Sequence, residues 1–245
     1  MPPTSEQIIK KPEMIVRPMS NIRGIAWIAL AGILFAAMTG IVRHLGTDMN
    51  PIQTSFIRYA FGIVLMVPVF LRLSRAEMRS SNKKLHAFRG VIHAGGVMLW
   101  FFAMSRLPIA EVTALGFLSP IFTTIGAAIY FKETLHARRI GAVLMGFGGT
   151  LIILRPGIEV IDIGAVAQLL AAPMFAISFM MAKKMTQTEH RSSIVAYMAL
   201  FVTLALLPPA MLVWRTPTME EIFWLFLMAA VATLAHLVMT KAMEE

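Results

Sequence analysis

The hydrophobic pattern of the chain is a series of long apolar runs separated by short polar segments. Eight runs approach the roughly 20 residues that a helix needs to cross a ~30 Å hydrocarbon core. They are Gly24–Val42, Ile52–Leu71, Gly90–Ser105, Ile109–Phe131, Ile140–Leu154, Ile163–Ala182, Ser193–Trp214 and Glu221–Thr240. The third and fifth are short, and Arg139 and Arg155 bound the fifth. Connections such as Arg106–Pro108 make successive helices antiparallel neighbours. The pattern predicts an all-α integral membrane protein, a bundle of transmembrane helices.

The composition of the chain agrees with a location in lipid. Of its 245 residues, 58% are hydrophobic and 14% charged, which is too few charges for the surface of a water-soluble domain. Lys and Arg residues lie between the apolar runs, so the net charge of +9 does not indicate nucleic-acid binding. The expected partners are the lipid bilayer and a small-molecule solute, with no nucleic acid; a homodimer is left open. With no cysteine in the chain, no thiol-based site is available, and no cofactor or metal is expected.

The positions of the cations predict the orientation of the helices. Lys and Arg near helix ends are retained on the cytoplasmic side of a membrane. With the N-terminus inside, 17 of the 22 Lys and Arg residues fall in cytoplasmic segments. The other five are Arg43, Arg58, Arg106, Arg155 and Arg215. The chain is therefore predicted to be a multi-pass protein of the inner (plasma) membrane, with residues 1–23 as a cytoplasmic N-terminal tail.

An internal repeat appears when the chain is shifted by 140 residues. The matching pairs include Gly24 with Gly164, Phe35 with Phe175, Phe61 with Phe201, and Pro68 with Pro208. Five helices per unit is an odd number, so the two units have opposite topology, as in transporters with inverted repeats. The predicted domains are residues 24–157, a first repeat of five helices, and residues 158–245, a second repeat that stops after three. Chance similarity between two apolar sequences is the alternative.

The stretch from Ala103 to Gly157 resembles the EamA-type transporters of the drug/metabolite transporter superfamily. It has Pro120 inside the fourth predicted span, a Lys132-Glu133 turn, and a glycine-rich fifth span that ends in Arg-Pro-Gly. Arg58, in the segment FIRYAFG, matches a basic residue that the family commonly carries early in its second helix. The resemblance implies ten helices in two inverted five-helix repeats. Helices 9 and 10 are then expected to be missing from this chain.

Seven residues inside the predicted spans are candidates for binding a solute. Arg58 lies about two turns into the second span, where a charge is costly unless it faces a cavity, pairs with a carboxylate or snorkels. Trp100 lies deep in the third span and could stack on an aromatic or cationic solute. The other candidates carry hydrogen-bonding groups and are Thr113, Ser119, Gln168, Ser178 and His236. Each of the seven also has a structural interpretation, as a packing residue or a link between helices.

Other polar residues are assigned to the membrane interface or to loops. His93 lies one turn from the cytoplasmic end of the third span, and Arg89 falls in the loop before it. Aspartates and glutamates lie at helix ends or in loops, so a buried carboxylate relay is not expected. Proline residues are predicted to kink three spans, at Pro120, Pro173 and the Pro208-Pro209 pair.

The best-supported function is a secondary transporter that moves a small organic metabolite or drug across the cytoplasmic membrane by alternating access. The chain has no GxxxxGK[ST] motif for ATP and neither the Gly-x-Ser-x-Gly nor the His-Glu-x-x-His motif of membrane proteases, so no enzyme activity is expected. The alternatives are a channel-like or structural membrane protein, or a truncated fragment of a transporter. In the last case, the chain alone is expected to show no specific transport.

Overall fold

A computed structural model shows a bundle of α-helices. It describes residues 21–45, 49–72, 74, 80, 82–131, 137–154 and 162–244, and within these ranges it has nine helices and no strand. The helices are α1 (Asn21–Leu45), α2 (Pro51–Phe70), α3 (Lys83–Arg106), α4 (Ile109–Gly116), α5 (Leu118–Phe131), α6 (Ala137–Leu154), α7 (Ile163–Met185), α8 (Arg191–Leu212) and α9 (Met219–Glu244). The predicted fold class, an all-α membrane helix bundle, is confirmed.

Seven segments of the described chain are long and apolar enough to cross a membrane. They are α1, α2, α3, α7, α8, α9 and the combined segment Ile109–Tyr130, which spans α4 and α5. The apolar part of α6, Ile140–Ile152, is shorter. The fifth run is therefore short, as predicted; its crossing of the membrane stays a prediction, and Arg155 lies outside the described residues.

The third span begins earlier than its apolar run suggested, so that prediction was wrong at its start. The run begins at Gly90, but α3 begins at Lys83, where the Asn82 side chain accepts a hydrogen bond from a backbone amide of the first turn (3.1 Å). The two additional turns carry His86 and Arg89, and both side chains are buried. Hydropathy starts the span too late because it cannot show that neighbouring helices supply partners for polar residues.

Pro120 interrupts the fourth span, as predicted. It has no N–H to bond the carbonyl of Gly116, and its ring crowds that carbonyl. The first helix accordingly ends at Gly116, and Phe117 joins α4 to α5 with its N–H turned back to the carbonyls of Thr113 and Ala114. The break allows α4 and α5 to pack separately against α7.

Contacts between helices follow a paired pattern. Helix α3 packs on α7 and α8, while α9 packs on α1 and α2, and α2 and α8 pack on each other between these groups. If α1, α2 and α3 are equivalent to α7, α8 and α9, the contacts of α3 with α7 and α8 correspond to the contacts of α9 with α1 and α2. Such pairing is what an inverted repeat produces around an axis in the membrane plane. The repeat boundaries at 24–157 and 158–245 stay a prediction.

One end of the bundle carries the cations at the start of α3 and at the ends of α7 and α9, and we call it the cationic end. Contacts connect its segments: Lys241 Nζ lies 3.9 Å from the centre of the Trp27 ring, and the Ser80 hydroxyl donates to Glu189 (2.9 Å). These segments share one end, as the predicted topology requires. The side of the membrane that they face stays a prediction, and residues 1–20 of the predicted tail lie outside the described residues.

The contact between α3 and α8 can be tested at Gly90. A Cβ at this position would lie 2.3 Å from Phe201 Cβ and 3.0 Å from the Phe201 carbonyl carbon. We expect Gly90→Ala to lower the stability by about 1–3 kcal/mol, because the added atom forces the two helices apart. The measurement is the thermal unfolding midpoint in detergent, followed by tryptophan fluorescence.

Gly32→Ala is the matched control, because no atom lies within 4 Å of the Cβ position at Gly32. Its midpoint should stay the same or rise, since Ala favours a helix over Gly by about 1 kcal/mol. Equal midpoints for the two variants would contradict the close approach of α3 and α8.

Candidate functional site

A cavity of about 280 Å³ lies between α1, α2 and α3 at the end of the bundle opposite the cationic end. We call it the vestibule. Its walls are Val42, Arg43, Leu45, Met49, Pro51, Thr54, Phe101, Met104, Ser105 and Arg106. Arg43 and Arg106 are both exposed, and Arg43 Nη1 donates to the carbonyl of Met104 (3.2 Å). The volume is close to the ~300 Å³ lower end of small-molecule sites, so the vestibule can admit a metabolite.

A second, narrow cavity lies deeper, between α2, α8 and α9. Its volume is about 10 Å³, which is room for about one water molecule. The lining residues are Arg58, Tyr59, Gly62, Val195, Met198, Ala199, Ala229, Thr233 and His236. Thr54, in the vestibule wall, is four residues before Arg58, so both side chains lie on one face of α2. We call this the Arg58 cavity; it is one helical turn deeper than the vestibule.

Arg58 is buried without a polar partner. Its side chain is 5% exposed, its Nε has no hydrogen-bond partner, and its guanidinium carbon lies 4.0 Å from the centre of the Tyr59 ring. The Tyr59 hydroxyl is likewise buried and has no partner. Within the described residues, no carboxylate is close enough to form an ion pair with Arg58. A buried charge without a counter-charge destabilises the protein, and a solute-binding role for Arg58 stays a prediction.

Aromatic rings from four helices lie next to the Arg58 cavity. The centres of the His93 and His236 rings are 5.6 Å apart, and the Tyr59 ring lies 6.1 Å from that of His93. Phe175, from α7, approaches His93 to 5.2 Å. His93 Nδ1 lies 2.9 Å from the hydroxyl of Ser178, which fixes the orientation of the imidazole. The resulting wall is mainly aromatic and contains few hydrogen-bonding groups.

Polar contacts close the bundle at the cationic end. Glu189, in the turn between α7 and α8, accepts a hydrogen bond from Ser80 (2.9 Å) and lies 2.7 Å from His86 Nε2. Both the His86 and the Glu189 side chains are almost fully buried. Arg89, one turn deeper, donates to backbone carbonyls of α7 (3.1 Å) and α8 (3.1 Å). We call Ser80, His86, Arg89 and Glu189 the latch, because together they join α3 to the α7–α8 hairpin.

The structure brings three of the seven predicted site residues into one region. Arg58 and His236 line the Arg58 cavity together. Ser178 lies beside them, because its hydroxyl contacts His93 and accepts a hydrogen bond from Arg89 Nε (3.3 Å). The three come from α2, α9 and α7, which are far apart in the chain.

The other four predicted residues lie elsewhere. Trp100 is half-buried against Phe101, with ring centres 4.8 Å apart. Thr113 is exposed on α4, and Ser119 is buried near the start of α5. Gln168 is buried in α7 with no partner for its Oε1. A solute-binding role for each of these residues stays a prediction.

Sequence reasoning missed the polar residues of α3. The hydropathy pattern places His93 at the membrane interface and Arg89 in a loop, and both predictions are wrong because α3 starts at Lys83. His93 therefore lies about 15 Å along the helix, at 1.5 Å per residue, and is 2% exposed. The spacing of His86, Arg89 and His93 could have shown this, since positions i, i+3 and i+7 lie on one helical face.

Comparisons with known proteins show which proteins this chain is similar to. A protein-family model described as the EamA-like transporter family matches residues 22–155. The S-adenosylmethionine uptake transporter of Rickettsia bellii is 27% identical over 219 residues, 89% of this chain and 75% of that protein. The riboflavin transporter of Vibrio cholerae is 29% identical over 226 residues, 90% of this chain and 76% of that protein. The pseudopaline exporter of Pseudomonas aeruginosa is 24% identical over 224 residues, with 89% and 78% covered.

A solved crystal structure also shares the fold. Its TM-score is 0.66 at 15% identity, and the match covers 91% of this chain and 78% of that chain. The named relatives are transporters and not enzymes, which confirms the predicted family, the membrane location and the class of function. The relatives differ in solute and include both uptake proteins and an exporter.

The two buried arginines of this region should respond in opposite ways to the loss of their charge. Arg58→Met removes a charge that has no partner, so we expect it to raise the stability by about 1–3 kcal/mol. Arg89→Met removes a guanidinium that donates hydrogen bonds to α7 and α8, so we expect it to lower the stability by a similar or larger amount. The measurement is the thermal unfolding midpoint of each purified variant. A lower midpoint for Arg58→Met would mean that Arg58 has a partner in the folded protein.

Proposed function

Because the chain belongs to the EamA-like transporter family, we propose that it moves a small organic metabolite or drug by alternating access, with the Arg58 cavity as its solute site. The observation that carries this proposal is the position of Arg58. It lies between a vestibule at one end of the bundle and the latch at the other. A solute that enters the vestibule therefore meets an unpaired buried charge before it meets the closed end.

Alternating access requires that the two ends of the protein open in turn around a fixed site. In this conformation the vestibule is present and the latch is formed. The alternate conformation would separate Glu189 from His86 and Ser80 and would bring α1, α2 and α3 together around the vestibule. A solute can shift the equilibrium between these two conformations only if it binds one of them more tightly than the other. The unpaired guanidinium of Arg58 provides this difference in affinity if the solute contacts the guanidinium in only one of the two conformations.

The predicted orientation assigns each end to one side of the membrane. If the cationic end faces the cytoplasm, as the excess of Lys and Arg favours, the vestibule faces the opposite side. The protein is then a multi-pass protein of the plasma membrane with a cytoplasmic N-terminus. Whether the protein forms a homodimer is not tested by the structure, so a homodimer stays a prediction.

Transport by purified protein in lipid vesicles tests the proposed function. The first probes are radiolabelled S-adenosylmethionine and riboflavin, the solutes for which two relatives are named; metabolite profiling of producing cells supplies further probes. Flux should saturate with solute concentration, and unlabelled solute on the opposite side should accelerate it. Flux that stays linear with concentration would indicate a channel. If no solute-specific flux is measured, the proposed function is wrong, and the alternatives are a structural membrane protein or a fragment of a transporter.

The latch can be tested by cysteine accessibility, since the chain has no cysteine of its own. A membrane-impermeant maleimide should label Thr54→Cys, in the vestibule wall, and should spare Val195→Cys, in the Arg58 cavity. Adding Glu189→Gln should raise labelling of Val195→Cys from the cationic end about tenfold, because a neutral amide is a weaker acceptor than the carboxylate and weakens the latch by about 1.4 kcal/mol or more.

Glu220→Gln is the matched control, because this carboxylate is exposed and lies at the opposite end of the bundle. It should leave the labelling of Val195→Cys unchanged. If Glu189→Gln also leaves it unchanged, the latch does not hold that end closed.

A further inference from the structure

The buried centre of the protein has an excess of positive charge. Arg58 and Arg89 are 5% and 2% exposed, and within the described residues neither forms an ion pair with a carboxylate. The acidic residue of the latch, Glu189, is paired with His86 instead. Charges interact strongly in a medium of low dielectric, so two cations in this region make it unfavourable for a solute that is only cationic.

Only one of the two arginines is available to a solute. Arg89 already donates through Nε and Nη1 to oxygen acceptors of α7 and α8, and its Nη2 lies 3.2 Å from Met198 Sδ. Arg58 has no hydrogen-bond partner for Nε and borders the Arg58 cavity. The hydroxyl of Tyr59, which borders the same cavity, is a second buried group without a partner.

The vestibule carries charge of the same sign. Arg43 and Arg106 line it, and the described residues that line it include no carboxylate. Two cations at the entrance raise the local concentration of anions and increase their rate of entry. The entrance and the inner site therefore favour the same class of solute.

We propose that Arg58 binds a carboxylate of the transported solute, so that the solutes of this protein are organic acids or zwitterions with a carboxylate group. The inference rests on the proposed function and specifies its solute. A guanidinium donates two parallel hydrogen bonds to a carboxylate, and the Tyr59 hydroxyl can donate a third. The remaining wall is mostly apolar, with Gly62, Ala199 and Ala229 among its residues, and offers few donors for the additional oxygens of a phosphate.

Metabolite profiling of cells tests the proposal without a known solute. Four forms are compared: the unchanged protein, Arg58→Gln, Arg58→Lys and Arg23→Gln. Arg23 is exposed at the start of α1, so its variant makes the same change of charge outside the site. Metabolites that the unchanged protein redistributes between cells and medium should carry a carboxylate.

The variants should differ in a defined order. Arg58→Gln should reduce the redistribution at least about tenfold, because it removes one partner of a buried charge pair. Arg58→Lys should retain part of it, since Lys keeps the charge but loses the paired geometry. Arg23→Gln should behave like the unchanged protein. If the redistributed solutes have no acidic group, and Arg58→Gln redistributes them as much as the unchanged protein does, the carboxylate proposal is overturned. The proposed transport function would still stand. No redistribution by the unchanged protein would instead overturn the proposed function.

Competition in lipid vesicles then separates a carboxylate from other anions. The competitors of the labelled solute are the unlabelled solute, its neutral carboxamide, inorganic phosphate and chloride. The carboxylate form should compete and the carboxamide should not, and Arg58→Gln should remove this discrimination. Equal competition by phosphate or chloride would show a general anion site and would overturn the assignment to a carboxylate. Thermal unfolding of each variant confirms that it is folded.

Discussion

The constraint on which this structure depends is that lipid provides no partners for polar groups, so the protein must provide them itself. Helices satisfy the backbone, and the polar side chains of the spans must find partners on neighbouring helices. Arg89 does so, because its guanidinium bonds carbonyls of α7 and α8, and His93 does so through Ser178. The Tyr59 hydroxyl and Gln168 Oε1 have no partner, and Arg58 is the exception that carries a charge. It is buried as deeply as its neighbours, yet its guanidinium has no polar partner in the described chain.

The close packing of α3, α7 and α8 makes these contacts possible. Gly90 of α3 leaves no room for a Cβ, which would lie 2.3 Å from Phe201 Cβ, and a Cβ at Gly96 would make a tight contact of 3.2 Å with the Phe175 ring. The backbones approach closely enough for Arg89 to reach two helices at once. The latch at one end and the vestibule at the other are therefore parts of one packing arrangement.

Much of the fold follows from the sequence because lipid imposes a simple pattern. The apolar runs predict the order of the spans, although they number eight and only seven segments of the described chain are long and apolar enough to cross. Pro120 predicts the interruption of the fourth span, and Arg58 and His236 are predicted as polar residues inside spans. The latch and the role of α3 could not be predicted. His93 and Ser178 are 85 positions apart and His86 and Glu189 are 103 apart, so local hydropathy contains no information about their pairing. Without their partners in view, His86 and Arg89 are predicted to lie in the loop before the third span.

An internal counter-charge for Arg58 tests the central claim most directly. Thr233 lines the Arg58 cavity from α9, and Thr233→Asp would place a carboxylate beside the guanidinium, with Thr233→Asn as the uncharged control. If the guanidinium is unpaired and binds the solute, Thr233→Asp should unfold at a higher temperature than Thr233→Asn and should no longer transport. A lower unfolding temperature for Thr233→Asp, together with unchanged transport, would contradict the account.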